Sequence, residues 1–384
     1  MDSKNLLKLI LYFFIFIIFL IFLNADYRIS LDFETYIMFF NTLGRISLTD
    51  LSLNFFDNFP YIVDSSASVG GTNWEFGFAI LAYSLMQFFG PNLTYALIAA
   101  TSLFIKVIAF NRFQINFFII IFLLIISITL FEANALRLGL GLSIYLYGLA
   151  RNQQENKNIY FYIFLACSIH VSLIIFLLFH ALLYVIKLAN YSKLLSLLLY
   201  VLLIVGLTRI SDIVLLSISL LGTNILGSKL FDYYALSDVL LLYQSPGINS
   251  VALIFLIIAF GSLIFMTFYK KGEEGTVILV LLLALMGFSF NTFSGNFYII
   301  ADRFIQPIIF ASICLYSLIG FNNKQKNFYV QNKMSIRSLA LNFNSVFLTL
   351  LIAFWTYSLL YTYPQSNVFS YIVGYNSLYI EPLF

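Results

Sequence analysis

Long apolar runs, separated by short polar segments, follow one another along the chain from Leu6 to Tyr361. Each run holds about 17 to 25 residues, which is long enough to cross ~30 Å of hydrocarbon as a helix. A helix also satisfies its backbone groups internally where no water is present. The pattern therefore predicts an all-α integral membrane protein, a polytopic bundle of about 11 transmembrane helices forming a single transmembrane domain over residues 1–384.

The polar segments differ in charge, and this difference predicts the side of the membrane on which each one lies. Residues 24–75 carry seven acidic side chains against two arginines, and residues 212–247 place three tyrosines among mixed charges; both are expected as extracytoplasmic loops. Residues 321–341 hold four basic side chains and no acidic one, which is the cytoplasmic pattern. Lys4 and Lys8 likewise place the N-terminus in the cytoplasm, before a first span that is not cleaved.

Two local patterns in the first part of the chain predict helix positions. Residues 31–43, LDFETYIMFFNTL, place Ile37, Phe40 and Leu43 on one apolar stripe, which predicts a short amphipathic helix on the outer membrane face. At the sequence GPN, residues 90–92, one helix should end and another begin. This interruption gives either two short spans or a re-entrant pair followed by one span.

The middle of the chain contains the boundaries that matter most for the candidate chemistry. Residues 115–130 and 131–150 are expected to form the fourth and fifth spans. Residues 159–186 are too many for one ordinary span, and polar side chains surround His170 near their middle. This predicts a hairpin broken near His170, since irregular backbone at membrane depth is tolerated where it lines a cavity. One long tilted helix is the alternative.

The composition limits the kinds of chemistry to consider. The chain is 61% apolar and 10% charged, and a net charge of +3 over 384 residues is too small to indicate a nucleic-acid partner. The two cysteines, Cys167 and Cys314, lie in apolar segments at no metal-binding spacing. No phosphate-binding loop, dinucleotide-binding glycine motif or zinc-protease motif occurs, so the sequence predicts neither a metal nor another cofactor.

Seven ionisable residues collect at the predicted outer face, each beside an apolar span. They are Arg28, Asp32, Glu75, Glu132, Arg137, His170 and Arg303. Because ionisable groups are costly within a membrane, we interpret them as a candidate site. Arginine offers paired donors to phosphate oxygens, and a carboxylate or histidine can accept a proton from a sugar hydroxyl, so the set suits glycosyl transfer from a polyprenyl pyrophosphate. Alternatively, Arg137 pairs with Glu132 and only joins two helices.

Several short motifs around these residues carry a resemblance to a known family. They are D-x-x-x-Y with Asp32 and Tyr36, E-F-G-F with Glu75, R-L-G-L-G-L-S with Arg137, A-x-x-x-H-x-S with Ala166, His170 and Ser172, and D-R-F with Arg303. In the order and spacing of these motifs, from Asp32 to about Leu318, the sequence resembles the EpsG-like group of Wzy-type polysaccharide polymerases, which serve O-antigen, capsule and exopolysaccharide synthesis.

The resemblance implies a GT-C-like, multi-pass enzyme of the bacterial cytoplasmic membrane that uses no cofactor. It would transfer the growing chain from undecaprenyl pyrophosphate to the next lipid-linked oligosaccharide repeat unit at the outer face. Arg137 and Arg303 would bind pyrophosphate, His170 or Glu75 would act as the general base, and Glu132 would support them. The acceptor sugar would be held by Arg28, Asp32, Tyr36 and Tyr233.

The implied partners are the lipid bilayer and the lipid-linked oligosaccharide, with a chain-length regulator and a flippase as further protein partners. Two other activities fit the same polar groups. A lipid-linked oligosaccharide flippase would need a cavity open in turn to both sides of the membrane, which the clustering at one face opposes. An O-antigen ligase would share the pyrophosphate chemistry and use a different acceptor.

Overall fold

The computed structural model describes residues 3–24, 31–45, 75–113, 115, 117–155 and 157–189, together with positions 202, 307, 308, 310, 311 and 314. Every regular element in these ranges is helical, and they contain no strand, in agreement with the predicted all-α fold. The number of spans and the GT-C-like arrangement stay predictions.

Eight α-helices can be followed along the described ranges. They are α1 (Ser3–Leu23), α2 (Leu31–Leu43), α3 (Phe76–Met86), α4 (Pro91–Arg112), α5 (Phe117–Ser127), α6 (Leu136–Glu155), α7 (Ile159–Ile169) and α8 (Ile175–Ala189). A π-helical turn, Ile128–Glu132, continues α5, and a 3₁₀ turn, Val171–Ile174, precedes α8. The chain divides into two compact units, residues 1–174 with 354–384 and residues 175–353, so α1 to α7 belong to the first unit.

The long helix α4 is the element around which the first unit packs. Gly90 precedes the helix in an extended conformation and Pro91 occupies its first turn, as the sequence predicted, because proline lacks the N–H that a helix start leaves unpaired. With 22 residues α4 extends about 33 Å, whereas the 11 residues of α3 extend about 16 Å. Among the described helices, α4 is the one long and apolar enough to cross a membrane.

Polar and apolar side chains share the buried face of α4. Tyr95, Ala99, Ser102, Lys106 and Phe110 recur every three or four residues and are all fully buried. This face packs against α1 and α6, which are the main neighbours of α4. A lysine and a serine thus lie deep inside an otherwise apolar packing.

The predicted helix over residues 31–43 is confirmed as α2, with a buried face that differs in part from the expected stripe, and its position on the outer membrane face stays a prediction. Phe33, Tyr36, Phe40 and Leu43 are buried, while Ile37 is partly exposed. Phe40 and Leu43 of the expected stripe are therefore buried as predicted, and only Ile37 was wrong. The aromatic side chains of α2 pack on rings of α3 and α4, so the buried face of α2 is set by contacts with these two helices.

The predicted break near His170 is confirmed, and the alternative of one straight tilted helix is wrong. Helix α7 ends at Ile169, and His170 follows in an extended conformation with φ −150° and ψ 114°. A 3₁₀ turn then leads into the next helix. The break turns the backbone of residues 170–172 away from the helical path and toward the start of α3.

The boundary between the fourth and fifth predicted spans differs from the expected one. Residues 128–132 form a π-helical turn that continues α5, and α6 begins only at Leu136. Glu132, expected inside the fifth span, therefore ends the element before it. Such π turns are frequent at functional sites, because the extra residue redirects a side chain.

Candidate functional site at the start of helix α6

An ion pair between Arg137 and Glu75 forms the centre of the candidate site. Arg137 Nη1 lies 2.5 Å from Glu75 Oε2, and the two side chains are 12% and 10% exposed. Arg137 is the second residue of α6 and Glu75 directly precedes α3, so the pair joins the starts of two helices 62 residues apart in sequence. Because a guanidinium stays charged in proteins, a largely buried arginine requires such an anionic partner.

The helix break brings His170 and Val171 to the same carboxylate. His170 Nδ1 lies 3.8 Å from Glu75 Oε1, and that oxygen accepts a hydrogen bond from the Val171 backbone N–H at 3.3 Å. The Ser172 backbone N–H donates to His170 Nδ1 at 3.3 Å, and Ser172 Oγ lies 3.0 Å from the same nitrogen. In the neutral tautomer that accepts this N–H, Nδ1 carries no proton and Nε2 carries one.

Tyr36 lies behind Arg137 and fixes its backbone. The Tyr36 hydroxyl oxygen accepts the Arg137 backbone N–H at 3.3 Å. This N–H is one of those that a helix start leaves without an intrahelical acceptor. The Tyr36 ring is buried against Phe78 and Tyr95, with ring centroids 6.0 and 5.8 Å away. Its predicted contact with the acceptor sugar stays a prediction.

The structure thus brings together four of the residues that the sequence singled out. Arg137, Glu75, His170 and Tyr36 come from four separate segments and meet at the starts of α3 and α6. Four other candidates cannot be located. Arg28, Tyr233 and Arg303 lie outside the described residues, as does the side chain of Asp32. Within the described ranges no group of three His, Cys, Asp or Glu side chains could hold a metal ion.

Glu132 has a different partner from the one expected. The alternative that paired it with Arg137 is wrong, because Glu132 Oε1 lies 2.5 Å from Lys106 Nζ and both side chains are fully buried. Sequence reasoning missed Lys106. Its signal was a single cation within the apolar run SLFIKVIAF, residues 102–110, where a charge is as costly as at Arg137.

A second charged cluster lies at the opposite end of α6. Glu155 accepts hydrogen bonds from the guanidinium groups of both Arg151 and Arg112, each at 2.5 Å, and both arginines lie over the Tyr147 ring. The hydrogen bond from Arg151, followed by that from Arg112, lowers the pKa of Glu155 to about 2. The cluster is partly exposed, beyond the apolar part of α6, and Arg151 lies about 21 Å along the helix axis from Arg137.

Ionisable groups held among apolar helices are typical of membrane proteins that handle a polar substrate. The family model of the EpsG family matches residues 9–377, nearly the whole chain. The chain therefore belongs to the EpsG family, a family of Wzy-like membrane polymerases of polysaccharide biosynthesis. No curated protein and no solved structure matches the chain.

Proposed function

We propose that the chain polymerises undecaprenyl-pyrophosphate-linked oligosaccharide repeat units at the outer face of the bacterial cytoplasmic membrane, which it crosses several times. It transfers the growing saccharide from its lipid carrier to a sugar of the next lipid-linked unit. The observation that carries the proposal is the meeting of Arg137, Glu75 and His170 at one site in a chain of this polymerase family. All three were marked by sequence, and each comes from a different segment.

In this proposal Arg137 binds the pyrophosphate of the donor. A guanidinium offers parallel donors to two phosphate oxygens and neutralises the charge that develops on the leaving group. The Glu75 carboxylate binds the Arg137 guanidinium in the structure, so the donor pyrophosphate competes with this carboxylate for the same cation. Arg303 is the second proposed pyrophosphate ligand.

The chemical step is a substitution at the anomeric carbon of the donor sugar. The acceptor hydroxyl oxygen bonds to that carbon, the bond from the carbon to the pyrophosphate oxygen breaks, and the lipid pyrophosphate leaves with the electron pair. The hydroxyl proton passes to a base on the protein, for which Glu75 and His170 are the candidates. We favour Glu75, because displacement from Arg137 frees its Oε2, whereas His170 Nδ1 already accepts the Ser172 N–H.

His170 then has a complementary part in the same step. In the tautomer that accepts the Ser172 N–H at Nδ1, Nε2 carries the proton and donates a hydrogen bond. A donor of this kind stabilises negative charge on a departing phosphate oxygen. His170 Nδ1 lies 3.8 Å from Glu75 Oε1, so both side chains can act on the same substrate.

The charge distribution along α6 supports an outward-facing site. Arg112 and Arg151 lie at the end of α6 opposite to Arg137. Basic residues are enriched at the cytoplasmic ends of spans, and this supports an outer-face position for the Arg137 end. Repeat units that have been moved across the membrane would meet the site there.

The proposal is tested by Arg137→Lys in cells whose own copy of the gene is deleted. Lysine keeps the charge and loses the planar pair of donors, so we expect long-chain polysaccharide to fall at least tenfold at unchanged protein abundance. Arg151→Lys, on the same helix, is the matched control and should leave chain length as in the wild type. Normal long-chain product from Arg137→Lys would contradict the proposed role of the guanidinium.

The lipid-linked intermediate separates the proposal from the two alternative activities. Loss of a polymerase leaves single repeat units on the lipid carrier, accessible to an impermeant saccharide-cleaving enzyme from outside. Loss of a flippase would leave them protected inside, and loss of a ligase would leave polymerised chains on the carrier. Either of the last two patterns would replace the polymerase assignment.

A further inference from the structure

A buried charged cluster lies beside the candidate site and has no part in the proposed chemistry. We define it as the α4–α6 cluster, which consists of Lys106, Glu132, Ser102, Ser127 and the backbone carbonyl of Gly139. Lys106 Nζ is within hydrogen-bond distance of Glu132 Oε1 (2.5 Å), Ser102 Oγ (3.0 Å) and Gly139 O (3.0 Å). Every side chain of the cluster is fully buried.

The hydrogen bonds of the cluster match the donors and acceptors that its charged groups offer. An ammonium group has three N–H donors, and Lys106 Nζ has three oxygen atoms around it. On the carboxylate, Glu132 Oε1 accepts from Ser102 at 2.7 Å as well as from lysine, and Oε2 accepts from Ser127 at 2.8 Å. A buried ion pair contributes little net stability compared with apolar side chains of the same size, so its effect lies in the geometry that it fixes.

The geometry that the cluster fixes is that of the chain on both sides of Arg137. Glu132 lies five residues before Arg137, at the end of the π turn, and Gly139 lies two residues after it. Both are bonded to Lys106, on α4. The segment between them therefore cannot shift along α4 without breaking buried hydrogen bonds.

The Tyr95 hydroxyl adds a further connection to the same segment. Its single O–H lies within hydrogen-bond distance of the carbonyl oxygens of Glu132 and Ala133, at 2.6 and 3.0 Å, and is shared between them. The Tyr95 ring contacts the Tyr36 ring, whose hydroxyl accepts the Arg137 backbone N–H. Side chains of α4 and α2 thus hold the backbone that leads into Arg137 and the N–H of Arg137 itself.

We infer that the Lys106–Glu132 ion pair is a positioning element for Arg137, which sets the height and direction of its guanidinium at the candidate site. The inference rests on the proposed function, in which Arg137 binds the donor pyrophosphate. Lys106 and Glu132 act through Arg137 and do not touch the substrate. A misplacement of a binding group by about 1 Å can lower a rate about 100-fold, so a fixed start of α6 matters for turnover.

The test uses the double variant Lys106→Met/Glu132→Gln in the full-length protein, expressed in cells lacking their own copy. The two replacements keep the side-chain volumes and remove both charges together, so neither is left buried alone. The amide that replaces the Glu132 carboxylate can still bond serine, while the Gly139 carbonyl loses its lysine donor. We expect near wild-type abundance and thermal stability in detergent, with long-chain polysaccharide reduced at least tenfold per folded protein.

A double-variant cycle with Arg137→Lys shows whether the cluster acts through the arginine. If it does, the cluster replacements cause little further loss in the Arg137→Lys background. Losses that multiply, or full polymer formation by a folded Lys106→Met/Glu132→Gln protein, would overturn the inference. An inactive Arg137→Lys alone supports the proposed function whatever the cluster variants do, so the two failures are distinguishable. Glu155→Gln, at the far end of α6, is the control for changing a charge on this helix.

A milder variant covers the case in which the double variant does not accumulate. Tyr95→Phe removes only the hydroxyl that bonds Glu132 and Ala133, leaves the ring in place and creates no buried charge. We expect normal abundance, a several-fold loss of long-chain product and no added loss in the Arg137→Lys background. Unchanged product from Tyr95→Phe at normal abundance would contradict the positioning role in the same way.

Discussion

At the scale of single residues, Glu75 connects the parts of the candidate site because its two carboxylate oxygens have different neighbours. Oε2 binds the Arg137 guanidinium, and Oε1 accepts the Val171 N–H beside His170. A carboxylate in this place balances the buried arginine when no substrate is present. In the proposed function this carboxylate is released when the donor pyrophosphate binds Arg137, so donor binding would free the base.

Glu75→Gln tests this double role. Glutamine keeps the shape and removes the negative charge, so we expect kcat to fall by about 100-fold or more while KM for the lipid-linked donor does not rise. The measurement is turnover of lipid-linked repeat units by the full-length protein in liposomes. A raised KM at unchanged kcat would mean that Glu75 only helps to bind the donor, and Glu155→Gln serves as the matched control on an exposed carboxylate.

At the scale of elements, the contact between α3 and α7 holds Glu75 next to the helix break. Gly77 lies two residues after Glu75, and a Cβ at this position would meet Ser168 Oγ at 2.5 Å and the Ser168 backbone oxygen at 2.7 Å. The backbones of α3 and α7 therefore approach as closely as a glycine permits. The break at His170 follows Ser168 by two residues. The close contact at Ser168 therefore holds the break next to Glu75.

Gly77→Ala should separate the two helices and weaken the site. The added methyl group has backbone atoms against it, so we expect a cost of about 1–3 kcal/mol and a loss of long-chain product larger than the loss of protein. Gly90→Ala is the control, because nothing lies within 4 Å of a Cβ there and its backbone is ordinary for alanine. The measurements are thermal unfolding in detergent and polysaccharide chain length. Equal stability and equal chain length of the two variants would show that the contact at Gly77 does not support the site.

At the scale of the whole molecule, the side of the membrane assigned to each loop decides whether the candidate site can meet exported repeat units. The two charged clusters lie at opposite ends of α6, with Arg137 at one and Arg151 at the other. The charges of the predicted loops over residues 24–75, 212–247 and 321–341 lead to the same expectation by the same rule. Both arguments support the proposed position of Arg137 at the outer face.

Cysteine labelling of intact cells checks this topology. With Cys167 and Cys314 replaced by alanine, we expect an impermeant thiol reagent to label Ser65→Cys from outside and to label Val330→Cys only after the membrane is opened. The physical reason is that basic loops are retained in the cytoplasm and acidic ones are not. Labelling of Val330→Cys in intact cells would show that residues 321–341 lie outside and would contradict the proposed outer-face site.

The sequence by itself determined the local features of this protein. Pro91 and the 3.6-residue periodicity of residues 31–43 located two helices, since both effects operate within a few residues. Polar side chains around His170 located the break, and the cost of charge among apolar residues marked Arg137 and Glu75. The same rule would have marked Lys106.

The tertiary structure alone decided which charged residues pair. From sequence, Glu132 was the near neighbour of Arg137, yet Arg137 binds Glu75, 62 residues away, and Glu132 binds Lys106, 26 residues away. The π turn places Glu132 toward α4, and the break at His170 presents Val171 to Glu75. Pairing of this kind depends on which helices adjoin and how each is rotated. These are set by side-chain packing over the whole unit, which no local pattern of residues contains.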